Sequence, residues 1–292
     1  MKRLGIIEMI VTTAIWGSIP ILAILSGLPS PVFVFFRVFL TFLFLLPIIR
    51  RFRVKYMVNT YVILSGLSLA LNWVLLFYSI TLIPVSNAIL LYYTGPIFAI
   101  IIMHFLGERI SRAKLVSILM AFTGVLMILD PTGINLNPGI YAALLSGLSY
   151  GTLTVTSKLS TRLVNPQELV LYQTVITSVL TLPFLFILKF SLTLHTIIIV
   201  LISAVVNTLL ALFLWYDALT RISVQLASVL SYLDPVFAIV FAYIFLAQTP
   251  TITTIIGGTL IIIGGVVSIL DETLQSQRMT VKNIEEKTRK SS

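Results

Sequence analysis

The chain contains no cysteine, which excludes disulfides, thiolate nucleophiles and thiolate metal ligands. Its two histidines, His104 and His195, are too few for a histidine-rich metal site. Charge is also scarce: 10% of the 292 residues are Asp, Glu, Lys or Arg, where a soluble domain carries roughly a quarter. With 58% hydrophobic residues there is too little polar surface to cover a globule in water, so a soluble enzyme is nearly excluded. No GxxxxGK[ST] pattern occurs and there is no room for a nucleotide domain, which argues against transport driven directly by ATP within this chain. No cofactor is expected.

In place of these features stand long apolar segments. Stretches of about twenty residues pass with one charge or none, the length needed to cross a hydrocarbon core about 30 Å thick. Read between breaks at Pro, Gly and charge, they give ten helices, at about 5–25, 32–49, 60–80, 85–106, 113–129, 139–157, 168–188, 196–215, 224–246 and 251–270. The first, in "MKRLGIIEMIVTTAIWG", reads as a span that stays in the membrane rather than a cleaved signal, since apolar helices follow as far as Leu270. With the N-terminus cytoplasmic, all of the 19 Lys and Arg except Arg37 and Lys189 fall on the cytoplasmic side. That distribution accounts for the +9 net charge without a nucleic-acid partner. The expected fold is an all-α membrane protein of ten transmembrane helices in the cell membrane, multi-pass, with both termini cytoplasmic. The tail "DETLQSQRMTVKNIEEKTRKSS", residues 271–292, lacks a sustained apolar face and alternates charge sign, and is expected to be a mostly disordered cytoplasmic tail.

One phrase is written twice. "LLYYTGPIFAII", beginning at Leu90, returns 139 residues later as "VLSYLDPVFAIV", beginning at Val229, with Asp234 where the first copy has Gly95. The flanks match without a gap, "TLIPVSNAIL" against "TRISVQLASV". "AIWG" in helix 1 is echoed by "LSYG" in helix 6, which sets Trp16-Gly17 opposite Tyr150-Gly151, and "LFYSI" in helix 3 by "LWYDA" in helix 8. The echo lies five spans later, and five is odd, so the second copy enters the membrane from the opposite side. Two inverted five-helix repeats, residues 1–130 and 138–270, are the expectation, an arrangement in which two oppositely directed halves enclose a central site.

These residues carry a resemblance. "AIWGS" in helix 1, "SNAILLYYTGPIFAIIIMHFLGERIS" across helix 4 and "LASVLSYLDPVFAIVFAYIFLAQTPT" across helix 9 resemble the EamA family of the drug/metabolite transporter superfamily, over roughly residues 5 to 270. In that family both halves usually end the motif in Leu-x-Glu. This chain keeps Glu108 in the first half and has Ala247-Gln248 in the second, a departure from a matched pair of acids. The resemblance implies ten helices around a central cavity and export or uptake of amino acids, other metabolites or drugs.

Asp234 stands about halfway along helix 9 beside Pro235, where proline removes an amide donor and disturbs the preceding turn. Proton binding, contact with a substrate amine and a gating hydrogen bond are open to it; so are pairing with a neighbouring hydroxyl and a place nearer the interface. Arg37, in "PSPVFVFFRVFLTFLFLLP", is read as a structural or gating partner to a facing helix, as a contact for a substrate carboxylate, or as snorkelling outward. Glu8 suits the start of helix 1, and Glu108 with Arg112, like Asp217 with Arg221, has the i,i+4 spacing of an interfacial ion pair. Among the polar and aromatic residues at mid-depth, Trp73, Tyr92 and Tyr150 included, Trp16, Asn72, Tyr93, Asn207 and Tyr232 are the preferred substrate-binding residues. Asp234, Arg37, Pro96 and Pro235 are the coupling or gating candidates, with the prolines as kinks. The glycine pairs of "GGTLIIIGG", Gly257 to Gly265, and Gly124 suit close helix packing, between halves or between protomers.

The leading reading is a secondary transporter working by alternating access, an exporter of amino acids or related small metabolites by resemblance. Its partners would be a small organic solute, the bilayer and, if a gradient drives it, protons on Asp234. The oligomeric state is left open with a monomer preferred. A multidrug or organic-cation exporter is the nearer alternative, and the separation of Arg37 from Asp234 discriminates: cations favour a buried acid with no competing base. A membrane-embedded enzyme or scaffold is the further one, disfavoured because Asp234 is the only mid-depth acid well placed for chemistry.

Overall fold

The computed structural model describes residues 2–49, 53–83, 85–129, 137–246 and 249–291, and no strand occurs among them. Arg50, Arg51, Ala247 and Gln248, on which parts of the sequence reading rest, lie outside the described residues. The first half contains α1 (Lys2–Gly17), α2 (Ile19–Ser26), α3 (Ser30–Leu45), α4 (Val54–Met57), α5 (Thr60–Ser79), α6 (Val85–Tyr92), α7 (Gly95–Phe105) and α8 (Arg112–Leu129). The second contains α9 (Pro138–Ser160), α10 (Pro166–Thr181), α11 (Phe184–Ile187), α12 (Leu194–Ile202), a π-helical segment (Ser203–Leu210), α13 (Ala211–Arg221), α14 (Val224–Ser231), α15 (Leu233–Leu246) and α16 (Ile252–Ser291). Each apolar segment read from the sequence coincides with one of these helices or with a pair divided by a short break. Five stretches, Thr60–Ser79, Pro166–Ile187, Leu194–Arg221, Val224–Phe241 and Ile252–Gln275, are long and apolar enough to cross a membrane by length and composition.

The distribution of polarity is that of a protein immersed in lipid. Ile252, Ile255, Ile256, Ile262, Ile263 and Val266 of α16 are exposed, as are Leu194, Ile197, Ile198 and Ile202 of α12, both at helical spacing. The interior instead holds Thr41, Ser65, Asn72, Gln173, Thr177 and Asn207. Many buried hydroxyls are satisfied within their own helix: Thr12 donates to the Glu8 carbonyl at 2.8 Å and Ser178 to that of Thr174 at 2.7 Å. This is a multi-pass membrane protein.

The tail differs from its expectation. α16 continues to Ser291 without a break, where the sequence reading placed a disordered segment. The stretch from Asp271 to Ser291 contains neither Gly nor Pro and places Glu285 and Glu286 four residues before Arg289 and Lys290, so nothing local ends a helix that is already nucleated.

The two halves pack by one rule. α5 lies on α9 as α13 lies on α1, and α7 on α9 as α15 on α1, while α3 with α10, α8 with α16, and α7 with α14 pair across the halves. Exchanging the halves leaves these partners unchanged except that α7 with α14 has no counterpart in α15 with α6. The duplicated phrase sits at two of the close approaches. A Cβ on Gly151 of α9 would stand 2.7 Å from the Phe98 Cβ and 2.8 Å from the Ala99 amide nitrogen. A Cβ on Gly17 of α1 would stand 2.9 Å from both the Phe237 Cβ and the Ala238 amide nitrogen. Phe98-Ala99 and Phe237-Ala238 are matching positions of the two copies, so the phrase recurs because each copy receives a glycine of the other half's first helix. Across the other seam Gly124 and Gly257 meet face to face, and Gly264 lies against the Ser117 carbonyl, which assigns Gly257 and Gly264 of "GGTLIIIGG" to packing between halves.

Both copies also break at the same place. α6 ends at Tyr92 and α7 opens at Gly95-Pro96; α14 ends at Ser231 and α15 opens at Leu233, two residues before Pro235. Proline has no amide hydrogen to continue the ladder, so carbonyls of the preceding turn are released. The Ile97 amide turns to the Thr94 carbonyl, and the Tyr93 carbonyl takes the Tyr232 hydroxyl of the opposite half at 2.8 Å.

Candidate functional site

The breaks in α6–α7 and α14–α15, the end of α1, the middle of α5 and the start of α13 surround a cavity of about 60 Å³. It is lined by Trp16, Ile19, Leu69, Asn72, Trp73, Tyr92, Tyr150, Leu153, Leu212, Trp215 and Asp234. Its walls are a connected set of rings. Tyr92 and Tyr150 stack with centroids 5.0 Å apart and planes 6° apart, Tyr150 lies 6.3 Å from Trp215, and Trp215 meets the edge of Trp16 at 5.4 Å. Such rings offer apolar faces and a few polar edges.

Three polar groups belong to its lining residues. Asp234 is the one charged side chain in the lining among the described residues. Asn72 is 1% exposed and Trp215 0% exposed, yet the Asn72 Oδ1 and the Trp215 Nε1 have no hydrogen-bond partner among the described residues. A buried amide oxygen or indole N–H without a partner costs about 1–3 kcal/mol, and in this conformation both atoms are sealed from the cavity as well as from solvent. The space itself is bordered by one carboxylate among aromatic rings.

Of the preferred binding residues, Trp16 and Asn72 line this cavity, and Tyr93, Asn207 and Tyr232 do not. Tyr232 is 0% exposed and spends its hydroxyl on the Tyr93 carbonyl, while the Tyr93 hydroxyl lies beside the Asp234 carboxylate. Both tyrosines therefore hold the breaks together from behind the wall. Asn207 is turned toward α1: its amide donates to the Ile15 carbonyl at 2.8 Å and to the Ser18 hydroxyl at 2.9 Å. Tyr92, Trp73 and Tyr150 replace them, and Trp215, which sequence reading did not select, completes the wall. The signal for Trp215 was its place in "LWYDA", the echo of "LFYSI".

Arg37 is 1% exposed and does not line the cavity. The π-helical segment shifts its carbonyls out of the ordinary ladder, and the side chains of the first half collect them. Thr41 donates to the Ala204 carbonyl at 2.8 Å, Trp16 to that of Asn207 at 3.2 Å, and Arg37 to the same Asn207 oxygen at 3.4 Å and to the Thr208 hydroxyl at 3.1 Å. The guanidinium lies over the Trp73 ring, 5.0 Å from its centroid. Of the readings open in the sequence, the partner to a facing helix fits this geometry. Replacing Arg37 with Met is expected to destabilise the protein by ~1–3 kcal/mol through the lost hydrogen bonds to Thr208 and Asn207. The affinity of a bound solute should shift less than about threefold, well under 1 kcal/mol. Equilibrium binding to the purified variant checks this; a tenfold loss would return Arg37 to the binding site.

The ends of the helices carry polar links between halves. Gln225 donates to Glu108 at 2.6 Å, Lys114 to the Ser223 hydroxyl at 3.2 Å, and Ser111 to Asp271 at 2.7 Å. Glu108 thus clamps α14 rather than pairing with Arg112. Asp217 and Arg221 do form their i,i+4 pair at 2.6 Å, and Arg221 also reaches Glu8 at 3.4 Å. No group of three or more metal-ligating side chains occurs among the described residues.

Comparison with known proteins places this architecture. The model of the EamA-like transporter family matches the chain twice, over residues 3–130 and 137–270. The chain belongs to the EamA-like transporter family. A solved crystal structure superposes on this EamA chain with a TM-score of 0.81, covering 92% of it and 98% of the solved chain at 20% identity, which shows the shared fold. An uncharacterized transporter of Bacillus subtilis, YxxF, is 27% identical over 90% of this chain and 88% of its own. The S-adenosylmethionine uptake transporter of Rickettsia bellii is 26% identical over 78% of this chain and 79% of its own. The pseudopaline exporter CntI of Pseudomonas aeruginosa is 31% identical over 69% of this chain and 72% of its own. These EamA relatives are named as transporters, which points away from an enzyme.

Proposed function

We propose that this EamA-family protein is a secondary transporter that moves a small organic solute, an amino acid or related metabolite, through the aromatic cavity by alternating access. The observation that carries the reading is the aromatic space, with the Asp234 carboxylate in its lining, at the joint of two broken helices from opposite halves. Ten spans in two inverted halves, with both termini cytoplasmic, are supported by the five apolar segments read in each half, the related contacts of the two halves and the placement of Lys and Arg. The cell membrane is the expected location. One chain surrounds the whole cavity, so a monomer suffices.

In this orientation the links Glu108–Gln225, Lys114–Ser223, Ser111–Asp271 and Glu8–Arg221 all lie at the cytoplasmic ends of the helices and tie the first half to the second. They form the inner gate, which must open for exchange with the cytoplasm. The breaks at Pro96 and Pro235 are the joints about which the halves rock. Asp234, at one of these joints, is the group through which a proton gradient would be coupled. Two relatives bear names with opposite directions, uptake and export; export is favoured here, on resemblance.

The test is uptake and counterflow in proteoliposomes with a panel of amino acids and cationic dyes, with and without an imposed pH gradient. Saturable counterflow of at least one solute is expected. Monodisperse, folded protein that exchanges none of the panel would refute the transporter reading.

A further inference from the structure

One link of the inner gate is more than an ion pair. Two carboxyls, Glu8 of α1 and Asp217 of α13, converge on one guanidinium, that of Arg221. Arg221 directs its hydrogens at Asp217, whose Oδ2 accepts from Nη2 at 2.6 Å and from Nε at 3.2 Å. Glu8 stands 3.4 Å from the same Nε without receiving a hydrogen bond from it, and its Oε2 has no hydrogen-bond partner among the described residues. Glu8 is 7% exposed, so bulk water does not serve that oxygen. The Glu8 carboxyl also lies against the carboxyl of Asp217. Ionised carboxylates only accept, so two of them in contact lack a hydrogen to share.

The surrounding charges do not supply one. The helices packed against α1 are α13, α15, α14, α2 and the π-helical segment. Among the described residues, Asp217 and Arg221 are the charged side chains they turn toward Glu8. Asp234 of α15 lies at the level of Gly17, nine residues further along α1 and so about 13 Å away. On α1 itself, Lys2 and Arg3 precede Glu8 by more than a turn. With all three groups ionised the cluster carries one surplus negative charge in a place closed to water, and like carboxylates in contact resist ionising together.

We propose that Glu8 and Asp217 bind one proton between them when α1 closes on α13, so that the inner gate latches with a proton taken from the cytoplasm. The proton supplies the missing donor: Glu8 donates to Asp217, Asp217 stays the carboxylate held by Arg221, and the cluster becomes neutral. When the two helices part, both carboxyls regain water and the proton leaves. Closure therefore takes up a proton, and by reciprocity acid on the cytoplasmic side favours the closed gate. The site is separate from Asp234; its role as a latch rests on the transporter reading, which defines the gate.

The test follows the carboxyls directly, by infrared difference spectroscopy of the full-length protein in lipid nanodiscs between about pH 5 and about pH 9. A protonated-carboxyl C=O band that titrates in this range is expected, absent in Glu8→Gln and retained in Asp234→Asn. Asp217→Asn removes the like charge and should move its midpoint toward acid by about one unit or more. Spin labels on Leu4→Cys and Thr220→Cys, in a chain with no cysteine of its own, report the separation of α1 and α13. The short separation should gain population as pH falls, and Glu8→Gln, whose amide is a donor without a proton, should hold it at every pH. A wild-type protein with no titrating band and a constant separation overturns the proposal whatever the folding of the variants. So does a Glu8→Gln protein that titrates as the wild type does, or closure driven by sodium at fixed pH. If counterflow is saturable and the Glu8 band is absent, the proton site fails and the transporter reading stands. If the band and the pH-dependent closure are present and no solute is exchanged, the proton site stands and the transporter reading fails.

Discussion

Gly151→Val is expected to unfold or disperse the bundle. The added Cβ would stand 2.7 Å from the Gly95 carbonyl oxygen and the Phe98 Cβ and 2.8 Å from the Ala99 amide nitrogen. Two of these atoms are backbone and cannot rotate away, so α9 must move off α7 as a unit. Overpacking commonly costs ~1–3 kcal/mol, and this site should lie at the upper end, because the same seam fixes the break at Tyr93. Gly17→Val should behave alike against Phe237 and Ala238. Gly258→Ala is the control: nothing stands within 4 Å of its Cβ position, and alanine in place of glycine within a helix stabilises by up to ~1 kcal/mol. Thermal unfolding followed by size-exclusion chromatography in detergent separates the three. Wild-type stability of Gly151→Val would contradict the contact that explains the repeated phrase.

Asp234→Asn is expected to remove the part of transport driven by a pH gradient. The carboxylate is the one charge in the lining among the described residues and sits beside the Tyr93 hydroxyl. The amide keeps the shape but neither exchanges a proton nor carries charge. A charge-assisted contact is typically worth ~1.5–3 kcal/mol, so gradient-driven uptake should fall about tenfold or more. Asp234→Glu, which keeps the charge on a longer stem, should retain a measurable gradient response. The comparison is initial uptake into proteoliposomes with the interior acidic, alkaline or equal to the exterior. An Asn variant that still responds to the gradient as the wild type does would remove Asp234 from coupling.

Much of the site was legible at the level of segments. The charge pattern located the loops, and the two prolines located the breaks, because a missing amide hydrogen has the same consequence in any surroundings. Trp16, Asn72 and Asp234 were selected as rare polar or amphipathic groups in apolar helices, and they do line the cavity. Tyr93 and Tyr232 were preferred because they recur and flank the prolines, and that recurrence turned out to reflect a mutual contact behind the wall. Tyr92 precedes Tyr93 by one residue, about 100° around a helix, and that rotation separates the wall from its backing. Asn207 turns toward α1 for a similar reason: it lies within the π-helical segment, whose wider turn changes the direction of the residues it carries, and no residue type announces such a segment.

The sequence by itself determined that the chain is helical and membrane-embedded, that it consists of two related halves, and where its helices break. Those properties depend on hydropathy, on proline chemistry and on spacing along one chain. Only the tertiary structure decided that Arg37 is held by Thr208 and Asn207 outside the lining, that Trp215 borders the cavity, and that the glycines of each half receive the repeated phrase of the other. The reason is that those outcomes depend on how helices distant in sequence are rotated against one another, and the rotation is set by atoms across the interface.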